Sequence, residues 1–174
     1  MPADLETCHF FPVEEFWDEA KDFFKKESEL LGNLLSGISV VFEHVGGASI
    51  PGSLTKKDID IQIIVQKKDL SYVIEQLKKY GQAKNLENWN ESKAIFNSKG
   101  KKFSTDYLVS VSETDAERQY WEARDVLINN PVLLKKYNDL KHSFEGKLYK
   151  DYRPAKKNFW ETIYKEQLNI NDIR

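Results

Sequence analysis

The chain has 174 residues, with 26 Lys and Arg against 28 Asp and Glu, a formal charge of −2. With 40% hydrophobic and 31% charged residues it has the balance of a globular domain long enough to bury a core, not of a disordered chain. No run approaches the ~20 apolar residues of a membrane span, residues 1–11 lack the basic-then-apolar order of a secretory signal, and the single cysteine, Cys8, excludes an internal disulfide and a cysteine-rich zinc site. These features predict a cytoplasmic protein in which Cys8 is an incidental thiol. The near-neutral total conceals a gradient: residues 1–36 are acidic, 37–112 are net basic, and 113–174 are close to balanced.

In chain order, Pro12 followed by Glu14, Glu15, Asp18 and Glu19 suits the positive end of a helix dipole. The apolar repeat Phe16, Ala20, Phe23, Phe24, Leu30, Leu31, Leu34, Leu35 predicts an amphipathic helix over 13–35, with its acids on the solvated face. Gly37 breaks it. Ile38–Val45 reads as a strand bounded by glycines, 46–57 as a Gly-, Ser- and Lys-rich loop, and Asp58–Gln66 as a strand of period two. Asp69 is placed to N-cap a helix running to Tyr80, ended by Gly81. Ala94–Asn97 and Lys102–Val111 read as two strands of a hairpin turning at 98–101. Helical periodicity then dominates, with Pro131 and Pro154 as starting residues, giving helices at about 115–128, 131–149 and 154–168. The prediction is an α+β fold, a mixed sheet flanked by helices (1–112) carrying a helical section (113–174) within one domain.

The chemistry-bearing stretch runs from Glu43 to Ile61. Asp58 and Asp60 are two apart on a strand and share one face, opposite the row Ile59, Ile61, Ile63, Val65. Paired carboxylates are hard-oxygen ligands suited to Mg²⁺ with phosphate oxygens and water, and a third from a neighbouring strand completes such a cluster; Asp106 is the candidate. The competing reading is a half-exposed strand with a wet face, although Asp is disfavoured in strands. Gly46-Gly47 is either an ordinary turn or a backbone cradle for an anion, with Ser49, Lys56 and Lys57 on the same loop as phosphate contacts or as solvated side chains. His44 is a base, a ligand or a satisfied strand histidine. The spacing of His9, His44 and His142 gives no zinc-hydrolase pattern.

The run His44-Val45-Gly46-Gly47-Ala48-Ser49-Ile50-Pro51-Gly52, followed by Lys56 and Asp60-Ile61, resembles the GrpB family of the nucleotidyltransferase-like superfamily, which is related to the C-terminal extension of some bacterial dephospho-CoA kinases. The resemblance continues through Ala123-Arg124-Asp125-x-Leu127, Asn130-Pro131, Lys136-Tyr137-x-x-Leu140-Lys141, and Tyr152, Lys156 and Phe159, covering roughly 38–160. It implies a nucleotidyltransferase-like fold in which Asp58, Asp60 and Asp106 hold Mg²⁺ while a hydroxyl acceptor attacks the α-phosphate of a nucleoside triphosphate and pyrophosphate leaves. Gly46, Gly47, Ser49 and Lys56 would then bind phosphate. The sequence departs from the family pattern at Gly47 and Ala48, where the family has Ser and Thr. It also carries Asp58 where many relatives have an apolar residue.

Arg124, Lys141 and Lys156 occupy motif positions in the helical section; they either face the cleft as phosphate ligands or form ion pairs between helices. Trp121, Tyr137, Phe144, Tyr149, Phe159 and Trp160 fit helical core packing better than base stacking. The expected partner is a nucleoside triphosphate or other phosphate-bearing small molecule, with the nucleotide passed to a small molecule, protein or RNA; a nucleic-acid partner is disfavoured but left open, and no membrane is expected. Two alternatives are a non-catalytic nucleotide- or phosphate-binding module and an accessory protein of coenzyme A metabolism; with no Gly-x₄-Gly-Lys-Ser/Thr motif, the chain is not itself such a kinase.

Overall fold

The computed structural model describes residues 6–98 and 101–170. A five-stranded mixed sheet forms its centre, in the order β2 (Val40–Val45), β4 (Asp58–Val65), β7 (Ser104–Val111), β6 (Lys93–Ser98), β5 (Gln82–Ala83). Only the β4–β7 pair is parallel. A second, two-stranded ribbon pairs β1 (Phe11–Pro12) with β3 (Leu54–Thr55). The helices are α1 (Trp17–Leu34), α2 (Leu70–Tyr80), α3 (Asp115–Asn129), α4 (Pro131–Ser143) and α5 (Tyr149–Leu168). Among the described residues no helix is long and apolar enough to cross a membrane.

The period of two in β4 explains the layering. Ile59, Ile61 and Ile63 are fully buried, with Tyr107 and Val109 of β7, against Ala20 and Leu31 of α1 and Val73 and Leu77 of α2. Each such isoleucine contributes about 2 kcal/mol of transfer free energy. The opposite face of the sheet, bearing Asp58, Asp60 and Asp106, turns toward the C-terminal helices. There Ile50 packs with Leu127, Tyr137 and Ile163, and Phe159 and Trp160 lie against them. Trp121 packs on Val45, Ile95 and Leu108. The expected core role holds for Trp121, Tyr137, Phe159 and Trp160; Phe144 and Tyr149 are half-buried beside Tyr152, and Tyr149 faces a cavity.

Several boundaries differ from the sequence reading. The last helix starts at Tyr149, so Pro154 lies inside it, and α4 stops at Ser143. The reason is tertiary: the N-terminal segment ties down the connection, with Cys8 N–H donating to Lys147 O, Gly146 N–H to Cys8 O and Tyr149 N–H to Glu6 O. Gly146 makes the turn at φ +73°. Asp69 makes no side-chain cap bond, and Gly81 ends α2 in extended rather than left-handed conformation. The β6–β7 hairpin forms, but Lys99 and Gly100 lie outside the described residues. The helix at 13–35 begins as a short 3-10 turn and becomes α-helical at Trp17. One of its acids departs from the expected solvated face: Glu27 is only 3% exposed.

Candidate active site

Asp60 lies directly opposite Asp106 across the parallel β4–β7 ladder, so two strand backbones only ~4.8 Å apart present carboxylates to one face. Asp58 is two residues earlier on the same face. On the other side β2 brings Val45 opposite Asp60, and the chain leaves the sheet at Gly46. A Cβ on Gly46 would sit 1.9 Å from Asp60 Oδ2, and its φ is +73°. Glycine is therefore required twice at this position, for the backbone conformation and for the close approach to the carboxylate. Residues 47–49 then form a 3-10 turn. Gly47 is under no such constraint: a Cβ there would make ordinary contacts, 3.4 Å to Thr55 Cβ and 3.5 Å to Lys141 Nζ.

The three carboxylates differ in their partners. Asp106 is engaged on both oxygens, Oδ2 accepting from Lys84 Nζ at 2.5 Å and Oδ1 from Asn97 Nδ2 at 2.6 Å. Asp58 accepts one long bond from Thr55 Oγ1, 3.3 Å. Asp60 has no hydrogen-bond donor among the described residues. Burial, with the like charges of Asp58 and Asp106, pushes the Asp60 carboxyl up to about 7. Burial opposes the Asp58 charge as well, but Lys56 and Lys156, with the Thr55 hydroxyl, outweigh it and hold that carboxyl below its ordinary value. The site thus contains one carboxylate without a hydrogen-bond donor, whose charge Lys156 and Lys84 offset only in part. Among the described residues no three acidic, His or Cys side chains converge as a ready-made metal cage.

The carboxylates stand between two cavities that share Asp60, Asp106, Asn85 and Lys156. The larger, about 880 Å³, is polar and rimmed by Lys56, Lys84, Arg153 and Lys156. Arg153 has no acidic partner among the described residues, and Lys56 Nζ rests 4.2 Å above the Tyr149 ring rather than against an acid. The smaller, about 230 Å³, is lined by Gly46, Gly47, Tyr120, Trp160 and Tyr164.

The remaining sequence candidates are distributed unevenly. Lys156 lies between the cavities; burial works against its charge, but the hydroxyls of Tyr137, Tyr152 and Tyr149 and the Asp58 carboxylate raise its pKa well above that of a free lysine. Lys141 is buried, donating to Leu54 O and to Ser53 Oγ with its ammonium 3.7 Å from the Tyr137 ring. Burial and the nearby Lys156 lower its pKa well below the usual range. Lys141 thereby pins the 53–54 segment to α4 beneath the glycine loop. Arg124 lines the smaller cavity, but its guanidinium is engaged by Glu43 at 2.8 Å, His44 O at 2.9 Å and Asp125 at 2.7 Å. Ser49 Oγ is turned into its own loop, donating to Gly46 O at 2.7 Å. Lys57, at φ 63°, points away to the N-terminal segment, 4.1 Å above Phe11 and 3.7 Å from Glu15. His44 stacks on Phe24, and burial together with Arg124 lowers it to about 4, so it is a neutral packing residue on the far face.

Lys84, Asn97 and Arg153 were not legible as site residues. Asn97 is opposite Asp106 in the antiparallel β6–β7 register, a relation the hairpin alone could have suggested. Lys84 follows directly after β5, a two-residue edge strand with no periodic signal.

A family model described as GrpB protein matches residues 12–166. A UPF0157 protein of Vibrio cholerae serotype O1 is 28% identical over 161 residues, 91% of this chain and 82% of that protein. The crystal structure of the conserved protein GrpB from Enterococcus faecalis is similar with a TM-score of 0.68 at 21% identity, over 88% of this chain and 93% of that one. Against the Cid1 poly(U) polymerase the likeness is slighter, a TM-score of 0.41 at 18% identity over 70% of this chain and 42% of that one, too slight to carry an argument. With the loop, the carboxylate strand and the C-terminal helices all inside the matched span, the chain belongs to the GrpB family.

Proposed function

We propose that this chain is a Mg²⁺-dependent nucleotidyltransferase that moves a nucleoside monophosphate from a nucleoside triphosphate to a hydroxyl acceptor. The observation that carries the reading is Asp60, an unpartnered carboxylate beside Asp58 and Asp106, facing a cavity whose rim is cationic. An oxygen-only donor set with surplus negative charge fits a hard divalent ion. Asp58 and Asp60 would hold it, with Asp106 adjacent. When bound, Mg²⁺ supplies electrostatic stabilisation of the phosphate oxygens. The chain's own residues supply the rest. Lys56, Arg153 and Lys156 attract and orient the phosphates as fixed charges. Gly46 keeps the loop close to Asp60, and Lys141 holds the neighbouring segment rigid, so that the acceptor oxygen and the α-phosphorus meet in line. The acceptor hydroxyl gives up its proton to a site carboxylate as its oxygen bonds to the α-phosphorus, the α–β phosphoanhydride bond breaks, and pyrophosphate leaves. An overall charge of −2 argues against a nucleic-acid surface.

One observation favours a non-catalytic nucleotide-binding module instead: Gly47 stands where the family pattern has a serine, and Ser49 is directed into its own loop. Thermal shift separates the readings. Wild type and Asp60→Asn are heated with each nucleoside triphosphate, with and without Mg²⁺, and pyrophosphate release is followed in parallel. Stabilisation requiring both Mg²⁺ and Asp60, with release of pyrophosphate when an acceptor is present, is the expected result. Binding that ignores Mg²⁺ favours the module, and no response to any triphosphate removes the reading.

A further inference from the structure

Lys84 is 41% exposed in its side chain, but it is anchored from below. Its backbone is clamped at both ends: its N–H donates to Ile95 O at 2.9 Å, and its carbonyl accepts from Trp89 Nε1 at 3.0 Å. The next residue, Asn85, is left-handed at φ 52°, which turns the chain sharply after it. From this fixed base Nζ reaches Asp106 Oδ2 at 2.5 Å, while Asn97 takes the other oxygen. Asp106 therefore has a cation on one oxygen and an amide on the other, whereas Asp60, directly opposite it, has neither.

We infer that Lys84 is a built-in cation standing at Asp106, so that the site binds one divalent ion, on Asp58 and Asp60, rather than two shared among three carboxylates. The inference rests on the metal-binding reading above and deepens it. Two metals in a phosphoryl-transfer site lie about 4 Å apart and share a bridging carboxylate. A protonated amine fixed on the third carboxylate supplies one positive charge where a second ion would sit, and opposes that ion at short range. The consequence concerns occupancy of the site: Lys84 sets the number of ions the chain takes up.

Mn²⁺ alone serves as the probe, read by electron paramagnetic resonance of free Mn²⁺ and by calorimetry on the full chain. Wild type is expected to bind one ion. Lys84→Met is expected to bind a second, or to tighten Mn²⁺ binding on the order of tenfold by loss of the nearby charge. Lys84→Arg, which retains a cation at Asp106, is expected to behave as wild type, and Asp60→Asn to lose the ion. Circular dichroism melts of each variant identify any that fail to fold, and the Lys84→Met/Lys84→Arg contrast is then read only between folded proteins. Two site-bound ions in wild type, or unchanged stoichiometry and affinity in folded Lys84→Met, overturns the inference while leaving the metal reading standing. No ion in wild type removes the metal reading and this inference with it.

Discussion

Strand β7 carries two neighbouring residues that belong to opposite kinds of acidic cluster. Tyr107 faces α1, where it donates to the buried Glu27 carboxylate at 2.5 Å, alongside Tyr80 at 2.7 Å and the Lys101 ammonium. Asp106 faces the C-terminal helices, beside Asp58 and Asp60. Burial pushes the Glu27 carboxyl up, but three donors outweigh it, and its pKa falls below the ordinary value. Burial pushes Asp60 in the same direction, nothing outweighs it, and its pKa rises. The two faces of β7 thus border a buried acid on α1 that the protein satisfies and an acid on β4 that no side chain hydrogen-bonds among the described residues. The first is a structural element; the second is the feature on which the proposed ligand site rests.

The sharpest way to break the comparison is at Glu27. Replacing it by Ala leaves Lys101 and two tyrosine hydroxyls without their acceptor, and urea denaturation is expected to show a loss of about 3 kcal/mol. A loss below about 1 kcal/mol would mean that the cluster does not hold α1 to the sheet.

Next in size is Gly46→Ala. A methyl group 1.9 Å from Asp60 Oδ2 at a left-handed backbone must displace the loop. The expected cost is about 1–3 kcal/mol, together with loss of Mg²⁺-dependent nucleotide stabilisation. Retention of both nucleotide response and stability would show that the loop is not held against the carboxylate.

Asp60→Asn tests the sign. An acid whose folded pKa lies near 7, above an unfolded value of about 3.9, binds its proton more tightly when folded. Its contribution to stability is full below about pH 4 and is lost as pH rises toward 7. Asp60→Asn should therefore raise Tm at pH 8 and change it little at pH 4. Glu27 runs the other way: its folded pKa is lowered, so its contribution is present above about pH 4.3 and lost as pH falls through the lowered value. A neutral or destabilising Asp60→Asn at pH 8 would show that its charge is already compensated. By the same linkage, the Tm rise caused by Mg²⁺ should be larger at pH 8 than at pH 6, because the ion binds the deprotonated acid.

The smallest expected effect is Gly47→Ser. A Cβ fits here, 3.5 Å from Lys141 Nζ, so stability should change by under about 0.5 kcal/mol. If the family serine serves as a phosphate contact, the substitution should tighten nucleotide binding a few-fold in the same thermal-shift assay. Unchanged affinity would show that a hydroxyl at this position is not a phosphate contact in this loop.

Much of the sheet was readable because its signals are local. The isoleucine row of 58–65 states its own period, and that period alone puts Asp58 and Asp60 on one face away from the core. The Gly46-Gly47 break after a β-branched run marks the loop, and the motif order places Asp106 on a neighbouring strand. The short pairs β1–β3 and β5 carry too few residues for any period. Pro154 misled because a proline marks a helix start only when no tertiary contact starts the helix earlier, and here residues 6–8 do so. Glu27 was read as solvated because helix spacing shows which face a residue shares, not that Tyr80, Lys101 and Tyr107 will meet it there.

The amino-acid sequence by itself determined the alternation, the loop, the family and the three acids on which the chemistry would rest. Only the tertiary structure decided how those acids divide. Asp106 is closed by Lys84 and Asn97, Asp58 is supported by two lysines, and Asp60 is left open. Periodicity is a property of neighbours along the chain, whereas the charge state of a carboxylate depends also on groups brought to it from 24 to 96 positions away, such as Lys84 from the segment after β5 and Lys156 from α5.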